Sequence, residues 1–138
     1  MMIVDTHSHA GINWFEPVEE RHSPTSAASA ANSVAFGTAK ALINGAVTLT
    51  DFTPEGMVQP EVLLLTQRMD HSFDDTLDHR TGIVEITTVA GSTYTKRVKT
   101  ALGQPDNPMS NDQLREKFRD CASHSAVPVS NAAVEEAI

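Results

Sequence analysis

Apolar positions change their spacing twice along this chain. Met1-Met2-Ile3-Val4 is a short apolar run that predicts a strand, and Asp5-Thr6-His7-Ser8-His9 follows it. Gly11 to Glu20 sets Trp14, Phe15 and Pro17 among acids, the pattern of a loop packed by its aromatics. From Thr25 to Ile43 the spacing turns helical, with Ala27, Ala31, Val34, Ala35, Ala39, Leu42 and Ile43 on one side. Ser23-Pro24 offers an N-cap followed by proline at the first helical position, and Asn44-Gly45 a left-handed C-cap. One helix of about five turns is expected.

Thr50, Thr53-Pro54-Glu55 and Gln59-Pro60-Glu61 are start signals for short helical pieces, the last carrying Val62, Leu63, Leu64 and Leu65. The period then drops to that of strands. Ile83 to Val89 is β-branched almost throughout, Ala90-Gly91-Ser92 reads as a turn, and Thr93 to Thr100 as the returning strand of a hairpin. His71 to Asp78 is a candidate third strand despite its acids. Gly103 to Pro108 is a rigid loop. Ser110-Asn111-Asp112-Gln113 is a capping box opening a helix striped by Leu114, Phe118 and Cys121, and the tail from Ser123 offers at most one more turn. Strand, long helix, short helices, hairpin and helix predict an α+β fold. Its antiparallel sheet is packed on one face by the long helix and the shorter ones.

The 138 residues suit one domain. Ten Lys and Arg against eighteen Asp and Glu give a net charge of -8. That field repels nucleic acid and anionic membrane surfaces, so neither is expected as a partner. A single cysteine, Cys121, excludes a disulfide framework and fits a reducing compartment. No run reaches the ~18 apolar residues of a membrane span, and no basic-then-apolar leader opens the chain. A cytoplasmic location is expected.

Candidate chemistry begins at the N-terminus. His7 and His9 stand two apart on a predicted strand, a spacing that puts both on one side. The run MIVDTHSHAG resembles the first barrel strand of the amidohydrolase superfamily, whose His-x-His pair binds a catalytic metal, and the resemblance stops near residue 19. Two histidines fill half of a four-coordinate shell, and the remaining barrel needs at least ~200 residues. His22, His71, His79 and His124 fall in no ligand spacing with the pair. The expectation is no metal, with a metal-dependent hydrolase fragment using His7 and His9 as the weaker alternative.

Three later blocks carry a broader resemblance. SPTSAASAANSVAFGTAKALINGAVTLTDFTPE, GIVEITTVAGSTYTKRV and GQPDNPMSNDQLREKFRDCA occur in order between residues 20 and 122. Together they are similar to the C-terminal part of the MmgE/PrpD family, which includes 2-methylcitrate dehydratase, cis-aconitate decarboxylase and iminodisuccinate epimerase. The resemblance divides the chain into an amidohydrolase-like start (1–19), an MmgE/PrpD lid-like domain (20–122) and a tail (123–138). It implies a lyase or isomerase of di- or tricarboxylates that needs no metal and no organic cofactor. It also implies a helical domain, carrying the proton-transferring and substrate-binding residues, that this chain does not match. The chain alone is therefore expected to be inactive. Its expected partner is a separate helical domain or further copies of itself, with a small carboxylate bound only in the assembled enzyme.

In the family a serine and, three residues later, a tyrosine lie near the start of the lid helix. Here those positions are Ser33 and Phe36, the candidate substrate-proximal residues, and Phe36 lacks the phenol. The bland reading of both is helix packing. Catalytic residues are otherwise unassigned. Arg97 and Lys99 read as surface charges. Asp70, Asp74, Asp75 and Asp78 lack the glycine and terminal glutamate of a calcium loop. Cys121 reads as a core residue on its apolar stripe. A rival to the enzyme reading is an oligomerisation or interaction module.

Overall fold

The computed structural model describes residues 3–10, 22–78 and 80–138, and of residues 3–10, 71 and 73 only the backbone course and pairing. The expected aromatic loop of Trp14 and Phe15, the boundary at 19/20 and His79 lie outside the described residues. Two compact units follow one another, residues up to Ala101 and Leu102–Ile138.

The first unit begins with β1 (Ile3–Ala10) and a block of helices: α1 (Ala27–Asn32), α2 (Val34–Asn44), a 3₁₀ turn at Leu49–Phe52, α3 (Pro54–Met57) and α4 (Pro60–Thr66). The single helix expected over residues 25–43 is two. Ser33 adopts an extended ψ of 113°, and its Oγ accepts the Phe36 N–H at 3.1 Å, so it ends α1 and caps α2. A serine at this point competes for the backbone donors that a continuous helix would use. The first cap also moves, from Ser23 to Ser26. Ser26 and Ser29 exchange side-chain-to-backbone bonds at 3.1 and 3.0 Å in a reciprocal box, while Pro24 is buried ahead of them. Gly45, with φ 81°, closes α2 as expected. Ala30, Ala35, Phe36, Ala39, Val62, Leu65 and Met69 form the core, and Leu42, Phe52 and Met57 pack against it.

Next come β2 (Met69–Phe73), β3 (Gly82–Thr88) and β4 (Thr93–Val98), giving a sheet of order β2-β1-β3-β4. β3 pairs antiparallel with both β1 and β4, and Gly91, at φ 81°, makes the expected hairpin turn. The α+β class read from the element order is present. An edge not anticipated is β2, which joins β1 in parallel; the intervening helices supply the long crossover such a pair requires. β2 starts two residues earlier than expected and stops at Phe73. Beyond it Asp74 takes the Thr76 N–H at 3.0 Å and Asp78 the Arg80 N–H at 2.9 Å, local turns that leave no ladder to continue.

The second unit has a loop tightened by Gly103 (φ 94°), whose N–H donates to the Asn107 carbonyl at 2.8 Å. α5 (Asn111–Ser123) starts at the expected box, with Ser110 and Gln113 bonded reciprocally at 3.2 and 2.8 Å. The tail forms α6 (Asn131–Glu136), capped by Ser130, and the Arg119 guanidinium grips Glu135 through two bonds of 2.6 and 2.8 Å. That pair holds the Glu135 carboxyl below its ordinary range, but it is exposed and contributes little to stability. Leu114 and Phe118 are about half exposed and Cys121 is exposed. Placing Cys121 in a core was wrong: α6 meets α5 through Arg119, beside the Leu114–Phe118–Cys121 stripe.

Gly56 is packed so closely that a Cβ there would run into the Thr50 carbonyl and the Asp51 backbone. Gly56→Ala is expected to lower the denaturant midpoint by the equivalent of about 1–3 kcal/mol. Gly37, inside α2 with nothing near its missing Cβ, should instead gain about 0.5–1 kcal/mol as alanine. Urea titration of the two variants checks the contrast.

Candidate functional site

α2 and its N-cap set Ser33, Phe36 and Lys40 along one buried side. Ser33 is 4% exposed and Phe36 not at all. Capping joins them: the Ser33 hydroxyl oxygen accepts the Phe36 N–H, and the Ser33 carbonyl accepts the Gly37 N–H at 3.0 Å. The Phe36 ring lies 6.5 Å from that of Phe52, and the Lys40 ammonium sits 5.5 Å from its centroid. The two sequence candidates thus come together in the interior of the first unit, joined by the capping bond.

Below them lies a buried polar cluster that sequence reasoning did not single out. Lys40 is 1% exposed, and its Nζ meets Asp51 Oδ1 at 2.9 Å and donates to Gln59 Oε1 at 3.0 Å. Asp51 also accepts the Thr48 N–H at 2.8 Å and the Thr48 hydroxyl at 3.2 Å, and Asn44 Nδ2 approaches Asp51 and Gln59 at 3.4 Å each. Burial pushes the Asp51 carboxyl up, but the Thr48 N–H and the Lys40 ammonium together outweigh it and leave the group below its usual range. The available signal was Lys40 itself, four residues after Phe36 on an apolar stripe, where a cation demands a partner.

The remaining candidates stand apart from this cluster. Asp74 and Asp78 hold local turns, and Arg97 and Lys99 are exposed. Among the residues whose side chains are described, no group of three or more His, Cys, Asp or Glu is arranged to hold a metal ion. His7 and His9 lie on the backbone of β1, paired on both sides. In the second unit an open groove of about 580 Å³ is lined by Asp112, Arg115, Glu116, Arg119 and Glu135. Its arginines are already held, Arg115 by Asp112 at 3.1 Å and Arg119 by Glu135. No helix among the described residues is long and apolar enough to cross a membrane.

Breaking the buried pair from one side should be costly. Lys40→Met is expected to destabilise the first unit by about 3 kcal/mol, because it strands a buried carboxylate, whereas Lys40→Met with Asp51→Leu recovers most of that loss. A depressed Asp51 pKa adds a pH signature. Its stabilisation is fully present above the ordinary aspartate value of 3.8 and is lost as pH falls through the lower folded value. Urea midpoints measured from pH 5 downward should therefore fall more steeply below about pH 4 in the native protein than in Asp51→Asn.

Comparison with known proteins adds two findings. Residues 3–138 match the family described as the MmgE/PrpD C-terminal domain. Cis-aconitate decarboxylase of Mus musculus is 31% identical over 107 residues, a stretch covering 75% of this chain and 22% of that protein. The chain thus spans about a fifth of the length of the curated relative it matches.

Proposed function

The chain belongs to the MmgE/PrpD family, matching its C-terminal domain, and on that premise we propose that it is the covering domain of a two-part lyase or isomerase for small di- or tricarboxylates. The chemistry of that class removes a proton beside a carboxylate and then expels water or carbon dioxide, or returns the proton to the other face. It needs a tuned base and several cations to hold the substrate. The observation that supports the proposal is the state of Lys40, the buried cation among the described residues: its ammonium is ion-paired with Asp51 and donates to Gln59 within the core, so it is not presented to a substrate. With a net charge of -8, the polypeptide alone repels a tricarboxylate. A helical domain then supplies the base and the cations, in the cytoplasm, and this unit closes over them without metal or organic cofactor. Ser33 and Phe36 enter the proposal as residues that fix where α2 begins, since both are buried.

A second reading has its own support. The exposed stripe of Leu114, Phe118 and Cys121 on α5 suits a protein contact, whether with a helical domain or in a non-enzymatic assembly.

The purified chain is expected to show no turnover of cis-aconitate, 2-methylcitrate or iminodisuccinate, and to gain it when an MmgE/PrpD helical domain is added. Turnover by the chain alone, followed by loss of the substrate's absorbance or by proton NMR, defeats the two-part reading. If added helical domains neither bind nor activate it while light scattering finds a stable oligomer, the assembly reading takes over.

A further inference from the structure

The sheet ends in two open edges of opposite charge. Among the described residues no strand lies beyond β2 on one edge or beyond β4 on the other. Each edge therefore turns backbone N–H and C=O groups outward, a template for another strand. β4 is exposed along all six of its residues. Lys96, Arg97 and, just past its end, Lys99 put three of the chain's ten basic residues on this edge. None of the three makes an ion pair among the described residues. Successive side chains alternate, so Lys96 stands on one side of the sheet and Arg97 on the other. The β2 edge is acidic. Asp70 in the strand and Asp75 just past it are exposed and have no ion pair among the described residues, while Arg68, ahead of the strand, is already engaged.

We propose that β4 of one copy docks on β2 of a second copy, extending the sheet from one molecule into the next. Charge selects this pairing over the alternatives. Two β4 edges would set Lys96 and Arg97 against their own kind, and two β2 edges would do the same with Asp70; only unlike edges bring opposite charges together. The lengths match, five residues in β2 against six in β4. Direction matches too: β4 runs antiparallel to β3, β3 antiparallel to β1, and β1 parallel to β2. A copy shifted along the sheet without turning therefore offers β4 a parallel partner. Register runs in one line through Met69, Thr6, Ile86 and Tyr94. At one end Met69 is buried under the helices; at the other Tyr94 is 56% exposed, and Val98, on the same side, 42%. The next copy brings its helix-covered end against that bare apolar pair and covers it. Each copy keeps one free edge of either kind, so the contact is head-to-tail and builds rows or closed rings. It does not depend on the lyase reading and uses none of the α5 stripe.

Sedimentation of the full chain over a concentration series is the test. Native protein is expected to pass from monomer to dimer and larger species as concentration rises. Lys96→Glu with Arg97→Glu reverses the β4 edge, and Asp70→Lys with Asp75→Lys reverses the β2 edge. Each double variant alone should associate at least about tenfold more weakly, the scale of like charges set against each other. Mixed in equal amounts, the two should recover native association, because each supplies the edge the other has lost. Phe118→Ser, on the α5 stripe, should change nothing. All four charged positions are exposed, and circular dichroism checks that each variant keeps its sheet. If a double variant unfolds, Arg97→Glu or Asp70→Lys alone takes its place. A native chain that stays monomeric at every concentration overturns the proposal. So does association that survives in both edge variants, that fails to return when the folded variants are mixed, or that is lost in Phe118→Ser instead.

Discussion

A buried ammonium facing a buried carboxylate is the constraint around which the first unit is arranged. Lys40 on α2 meets Asp51 in the 3₁₀ turn, and Gln59, at the start of α4, accepts a further bond from its ammonium. These residues lie on three successive pieces of chain, so the pair fixes the path of residues 45–60 over α2. Gly56 has to be a glycine because that path brings it against the Thr50 carbonyl. Desolvating two charges costs as much as their attraction returns, so the pair is a weak source of net stability and a strong source of specificity. A misplaced turn would leave Lys40 buried alone, and that arrangement is excluded by several kcal/mol at the scale of such penalties.

What sequence alone made legible was local. The Gly45 cap, the hairpin turn at Gly91, the Ser110 box and the Pro60 helix start depend on residues within four of one another, and all stand where expected. Ser33 was visible as a residue but not as a break, because alanine-rich spacing on both sides continued the helical period through it. The capping serine goes with burial of Phe36 against Phe52, a contact outside any local window. The Lys40–Asp51 pair was hidden for a related reason. Ten residues, the helix-ending Gly45 among them, separate the partners, and a lysine on an apolar stripe announces a need without naming what meets it. Cys121 failed in the opposite sense: an amphipathic stripe predicts that something covers it, and α6 meets α5 elsewhere.

The functional reading follows the same division between local and distant. Family membership rests on the whole span of residues 3–138, while the chain aligns with only 22% of cis-aconitate decarboxylase of Mus musculus. Ser33 and Lys40 are each engaged within the first unit. Its candidate hydroxyl caps a helix, its candidate ring packs a core and its buried cation is satisfied. Ser33, Phe36 and Lys40 all lie in the buried interior of the first unit.

Strand register is a long-range relation of the same kind. Spacing along the chain could show two histidines on a strand and could not show which carboxylates a sheet would set beside them, since Asp70 arrives by a parallel crossover and Glu85 by an antiparallel return. A one-residue slip of β1 would take its positions out of line with Met69. The helix-covered side of the sheet answers to packing, as the burial of Met69 shows.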